Sequence, residues 1–145
     1  MGISERKERE KEQRKNDIID AAEKIFFKKG LSNSTMDEVA KEAELSKGTL
    51  YLYFKSKEEI YFEIKLRAVN ILNRMFKKSI LPEKTGFENC TEIGKTYVKF
   101  LNDYSNYFKV MVYFESTDCK ICDFKDKCEN FFKDDNPLNS FIQII

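Results

Sequence analysis

Histidine and tryptophan are absent from the 145-residue chain, and glycine (5) and proline (2) are scarce. Without histidine there is no Ser-His or Cys-His nucleophile pair and the commonest general base is missing. No other paired catalytic constellation replaces it, so the chain is read as not an enzyme. No apolar run approaches the roughly 18 residues of a membrane span, and no signal-peptide core is present. These two absences give the expectation of a cytoplasmic protein that makes no use of a membrane. Neither sign of charge dominates: 26 basic and 25 acidic residues leave +1. A nucleic-acid partner would therefore have to be held by local placement of lysines, polar groups and helix ends. Four cysteines in a cytosolic chain indicate free thiols or a metal rather than a disulfide framework.

Apolar residues instead recur at helical spacing, and with few breakers this predicts an all-α protein. The lead to residue 15 is charged, with Arg6, Lys7, Arg9, Lys11, Arg14 and Lys15 against Glu5, Glu8, Glu10 and Glu12. It reads as a solvated helix start or an extended arm. Ile18, Ala22, Ile25 and Phe26 form an amphipathic stripe, and Gly30 stands where a helix stops. Ser34 is read as the cap of the next helix, with Asp37 at its third position. That helix carries Met36, Val39, Ala40 and Ala43 over barely two turns. Ser46 is a further N-cap, with Leu45 and Leu50 spaced as a hydrophobic staple. Ser56 and Glu59 make an S-x-x-E capping box for a longer helix bearing Ile60, Ile64, Ala68, Ile71, Leu72 and Met75, which ends before Pro82. Two short helices joined by a tight turn, inside a set of four, give a helix-turn-helix.

The second short helix has the composition of a DNA reader. Its start presents small or flexible polar groups, Ser46, Lys47, Gly48 and Thr49, where a recognition helix meets the major groove. Gly48 weakens a helix by roughly 1 kcal/mol relative to alanine, but it lets the backbone approach a partner closely. Leu50 and Phe54 point inward, leaving Lys47, Tyr51 and Leu52 on other faces. Lys47 is the candidate for a base edge, with guanine O6/N7 as the expected partner. Thr35, Tyr53 and Lys57 are candidates for phosphate contacts that set register. A cation at Lys57 opposes the dipole of the helix it opens, which favours an external anion as its partner. Thr35 and Ser46 can equally serve as local caps, Tyr51 as packing, and Lys57 as a solvated first-turn residue.

The run from Thr35-Met36-Asp37-Glu38-Val39-Ala40 through Glu44-Leu45-Ser46-Lys47-Gly48-Thr49-Leu50-Tyr51-Leu52-Tyr53-Phe54 to Lys55-Ser56-Lys57-Glu58-Glu59 closely resembles the tetracycline-repressor (TetR) family. The likeness covers about residues 16 to 65 and includes the stem Ile-x-x-Ala-Ala-x-x-x-Phe. Glu44 departs from it, standing where many relatives have glycine, at a cost of about 1 kcal/mol if φ is positive. The resemblance implies DNA contacts at Thr35, Lys47, Thr49, Tyr51, Tyr53 and Lys57. It also implies a homodimer on a palindromic operator in double-stranded DNA, released when a small-molecule effector binds the second domain. The family's dimer interface comes mainly from its last two helices, and this sequence, halting at Phe141-Ile142-Gln143-Ile144-Ile145, is expected to stop before them.

Beyond Pro82, Cys90, Ile93, Tyr97, Phe100, Leu101 and Tyr104 make one helical face, and Tyr107, Val110, Met111 and Phe114 another. Thirteen of the 20 aromatic residues follow residue 75. Such stripes are core packing or the lining of an apolar pocket. On the pocket reading, Tyr97, Phe100, Tyr104, Tyr107, Met111 and Phe114 are its candidates. Cys119, Cys122 and Cys128 stand in C-x2-C-x5-C spacing, and Cys90 can supply a fourth thiolate for zinc or another soft metal. Three readings stay open: inert thiols, a metal site, or a redox sensor aided by Lys120, Lys125 and Lys127. The expected architecture is a three-helix DNA-binding head (1–55) joined by a long helix to an incomplete helical regulatory domain (56–145). The expected function is a regulator, a repressor by family type, with a metal- or redox-responsive regulator of the same fold as the alternative.

Overall fold

A computed structural model describes residues 2–116, and among these it contains six α-helices and no strand. They are α1 (Ile3–Lys29), α2 (Met36–Glu42), α3 (Lys47–Tyr53), α4 (Lys57–Ser79), α5 (Gly86–Asp103) and α6 (Ser105–Ser116). Cys119, Cys122 and Cys128, the Asn136-Pro137 turn and the terminal apolar run lie outside the described residues. The chain forms two compact units that divide between Lys65 and Leu66, within α4. Sequence reading places the boundary near residue 55. The difference arises because Ile60, Tyr61, Phe62 and Ile64, on the first turns of α4, are buried in the first unit.

The first unit closes around Ile18, Ala22, Phe26, Val39, Leu50, Phe54, Ile60 and Ile64, all buried. Phe26 meets Tyr61 edge-on at 5.6 Å, the arrangement that ring quadrupoles favour. The charged lead is helical and continuous with the stripe behind it, and residues 2 to 14 of it are exposed. Gly30 ends α1 at φ 81°, which a side chain would resist.

The start of α2 differs from expectation. Thr35, not Ser34, is the cap: Glu38 N–H donates to Thr35 Oγ1 (3.2 Å) and Thr35 N–H donates to the Glu38 carboxylate (3.0 Å). A glutamate three residues on completes a capping box from Thr35, whereas Ser34 would face Asp37, too short to return the bond. Ser34 is buried instead and donates to Gly30 O (2.6 Å), fastening the preceding loop.

In the second unit, Ala68, Leu72 and fully buried Phe100 form a cluster, with Ile71, Met75, Phe76, Tyr107, Phe108 and Met111 packed against it. The connection into α5 is fixed by Asn89, whose side chain bonds Leu81 N–H and both Leu81 and Lys84 carbonyls. Thr85 and Glu88 form a second capping box; the T-x-x-E spacing signals it, and sequence reading passed over it. Tyr104, at φ −124° and ψ 41°, separates α5 from α6.

The six pocket candidates divide. Phe100 and Phe114 are buried in the packing. Tyr107 and Met111 are half-buried beside the cluster, while Tyr97 and Tyr104 stand about two-fifths exposed. Tyr104 stacks on Phe100 at 5.6 Å. Cys90 is also exposed, against the expectation of a buried helical face. Among the described residues no group of three or more metal-ligating side chains converges, and none of their helices is long and apolar enough to cross a membrane.

Candidate nucleic-acid interface

The turn between α2 and α3 is built on Glu44 at φ 56°, left-handed as its position in the sequence suggests. Leu45 N–H reaches back to Ala40 O (2.9 Å) and Glu44 N–H to Lys41 O (3.1 Å). This double closure ends α2 in a Schellman motif and turns the chain within a few residues. Ser46 then caps α3: Thr49 N–H donates to Ser46 Oγ (3.2 Å), and the two hydroxyls lie 2.8 Å apart.

Leu50 is fully buried and Phe54 nearly so, which anchors α3 by one side. Its other residues form an outward surface. Ser46, Lys47, Gly48, Tyr51 and Leu52 are exposed, and Thr49 and Tyr53 are half-buried. A Cβ built on Gly48 meets no atom within 4 Å. Nothing inside the head therefore calls for glycine at this helical position, although glycine costs roughly 1 kcal/mol there.

Two lysines of the candidate set are engaged within the head. Lys47 Nζ lies 3.0 Å from Asp37 Oδ1, linking α3 to α2, and the hydrogen bond and charge of Asp37 raise the Lys47 pKa. Their ten-residue separation gives no periodic signal, so sequence reading did not pair them. Lys57 Nζ donates to the carbonyls of Leu31 (2.8 Å) and Ser34 (3.0 Å). The cation that opens α4 thus has internal partners, contrary to expectation: two carbonyls of the α1–α2 loop compensate it. An ammonium has three N–H groups, so one remains for a further acceptor. Thr35 is occupied by its cap, with Oγ1 also 3.3 Å from the Glu38 carboxylate.

Further ion pairs hold the supporting helices. Lys29 pairs with Glu38, Lys24 with Glu42 (3.1 Å) and Lys15 with Glu63 (3.4 Å). At the start of α4, Glu59 N–H donates to Ser56 Oγ (3.2 Å), and the Glu59 carboxylate accepts from Lys55 N–H (2.7 Å), one residue before the expected cap.

Residues 18–64, the α1-to-α4 core and the turn just described, match the model of the bacterial regulatory proteins of the tetR family. The head is a tetR-family domain. An HTH-type transcriptional regulator of Haemophilus influenzae is 29% identical over 113 residues, 78% of this chain and 58% of that protein. The HTH-type transcriptional regulator QacR of Staphylococcus aureus is 35% identical over 74 residues, 51% of this chain and 39% of QacR. Among solved structures, a TetR-family transcriptional regulator from Haemophilus influenzae superposes with a TM-score of 0.59 at 28% identity, covering 83% of this chain and 63% of that one. The chain thus spans between two-fifths and three-fifths of the length of these curated relatives. The tetR-family assignment rests on the head, where the turn, the two short helices and the capped start of α4 coincide with the matched residues.

Proposed function

We propose that this protein is a sequence-specific DNA-binding transcriptional regulator, with the outward face of α3 lying in the major groove. What supports the reading, beyond family membership, is Gly48: a helical glycine that internal packing does not require, on an exposed face flanked by Ser46, Lys47, Thr49 and Tyr51. Close approach by a duplex accounts for it. Lys47 leaves Asp37 to reach a base edge, while Thr35, Tyr53 and the spare N–H of Lys57 meet phosphates. By analogy with the family, two heads engage a palindromic operator as a homodimer, and a small molecule bound by the second unit beside Tyr97, Tyr104, Tyr107 and Met111 releases it. A protein acting on the operator works in the cytoplasm, as a repressor by family type.

Selection of bound duplexes from a random library tests this directly. Enrichment of a two-fold symmetric site is expected, and recovery of no preferred duplex overturns the reading. Gly48→Ala sharpens the test because its two effects have opposite signs. The helix gains up to about 1 kcal/mol in thermal unfolding, whereas affinity for the selected duplex falls.

A further inference from the structure

The outward face of α3 carries one aliphatic side chain that the head leaves uncovered. Leu52 is 83% exposed, although Leu50 two residues earlier is fully buried. Successive helical residues turn by about 100°, which sets Leu52 roughly 160° round the helix from that anchor. One turn before it, on nearly the same line, is Gly48, where an added Cβ would meet no side chain from beyond its chain neighbours within 4 Å. Leu52 therefore stands at the end of a strip that Gly48 leaves bare.

A lone exposed leucine is ordinary on a protein surface. This one shares the exposed side of α3 with Gly48 and Tyr51, on the surface that the DNA-binding reading assigns to the major groove. In the major groove only thymine presents an apolar mark, its C5-methyl group, and apolar side chains discriminate it by contact. We infer that Leu52 is a specificity-determining residue that reads the thymine 5-methyl. The inference rests on the DNA-binding reading above and adds one base of stated identity to each half-site.

The test uses the full chain and the duplex that it selects. Replacing thymine by uracil removes only the methyl group, position by position. Losing a methyl contact is expected to weaken the wild-type protein about fourfold at one thymine in each half-site. Leu52→Gln is expected to bind thymine and uracil duplexes equally at that position, and Leu52→Met to keep the preference. Because Leu52 is exposed, all three proteins should unfold at nearly the same temperature. Wild-type indifference to uracil at every position overturns the inference while leaving DNA binding intact. An undiminished thymine preference in Leu52→Gln also overturns it. If the wild-type chain selects no duplex, the reading beneath it fails and the inference falls with it.

Discussion

Glu44 holds a left-handed backbone at φ 56° with a full side chain attached, in the turn that orients α3. For an L-residue this conformation costs about 1–2 kcal/mol. Glycine avoids it but adds freedom to the unfolded chain, which returns about 0.4–1 kcal/mol. Glu44→Gly is therefore expected to stabilise the head by roughly 0.5–1 kcal/mol, measured by denaturant unfolding. Glu44→Val should destabilise it, because branching at Cβ worsens the same clash. The sequence shows this residue's predicament, since a helix stop and a fresh cap leave only Glu44 and Leu45 between them. It does not show the Lys47–Asp37 pair, which exists only because two helices bring residues ten apart within reach.

At the scale of helices, the caps are where local pattern and structure agree best. Ser46 was legible because it precedes an apolar run and its hydroxyl has a backbone N–H to accept from. Ser34 was misread because two hydroxyl residues adjoin, and the choice between them falls to the glutamate three positions after Thr35. The burial of Ser34 against Gly30 O is tertiary, and no spacing announces it. Glu38 has a consequence for acid stability. Its carboxyl is held below its usual pKa of 4.5, chiefly by the hydrogen bond from Lys29 and then by the Thr35 N–H. A carboxylate with a lowered folded pKa stabilises fully above its unfolded pKa and loses that contribution as the pH falls through the folded value. Unfolding free energy should therefore decline as the pH drops below 4.5, and more shallowly in Glu38→Gln. Parallel slopes in the two proteins would remove Glu38 from the account.

At the scale of the whole molecule, the near-even balance of charge in the chain is repeated in its first unit. The first unit, residues 1–65, has 14 basic and 14 acidic side chains, and several lysines are tied into the pairs described above. An evenly balanced head would attract duplex DNA weakly at long range, so on the proposed reading selectivity rests on what α3 contacts. Asp37→Asn removes one negative charge beside α3 and frees Lys47. Such exposed pairs contribute little to folding, so thermal stability should barely change. Affinity for the selected duplex should rise several-fold, because Lys47 no longer has to leave an internal partner; an unaltered affinity would place Lys47 away from the duplex. The helical class and the head were legible at this scale because stripes, caps and turn residues all agree there. The second unit was less so. Periodicity identifies Tyr97, Phe100, Tyr104 and Tyr107 as one kind of residue, and only packing separates buried Phe100 from half-open Tyr97.

The carbonyls of Leu31 and Ser34 that receive the Lys57 ammonium give this amine a chemistry unlike its neighbours. A nitrogen that is twice bonded and partly covered attacks acylating reagents slowly, so mass-spectrometric footprinting should find Lys57 under-labelled in the free protein. Lys47, well exposed on α3, should label readily until a duplex shields it. A single labelling experiment can thus tell an amine already engaged inside the head from one that only a duplex would cover.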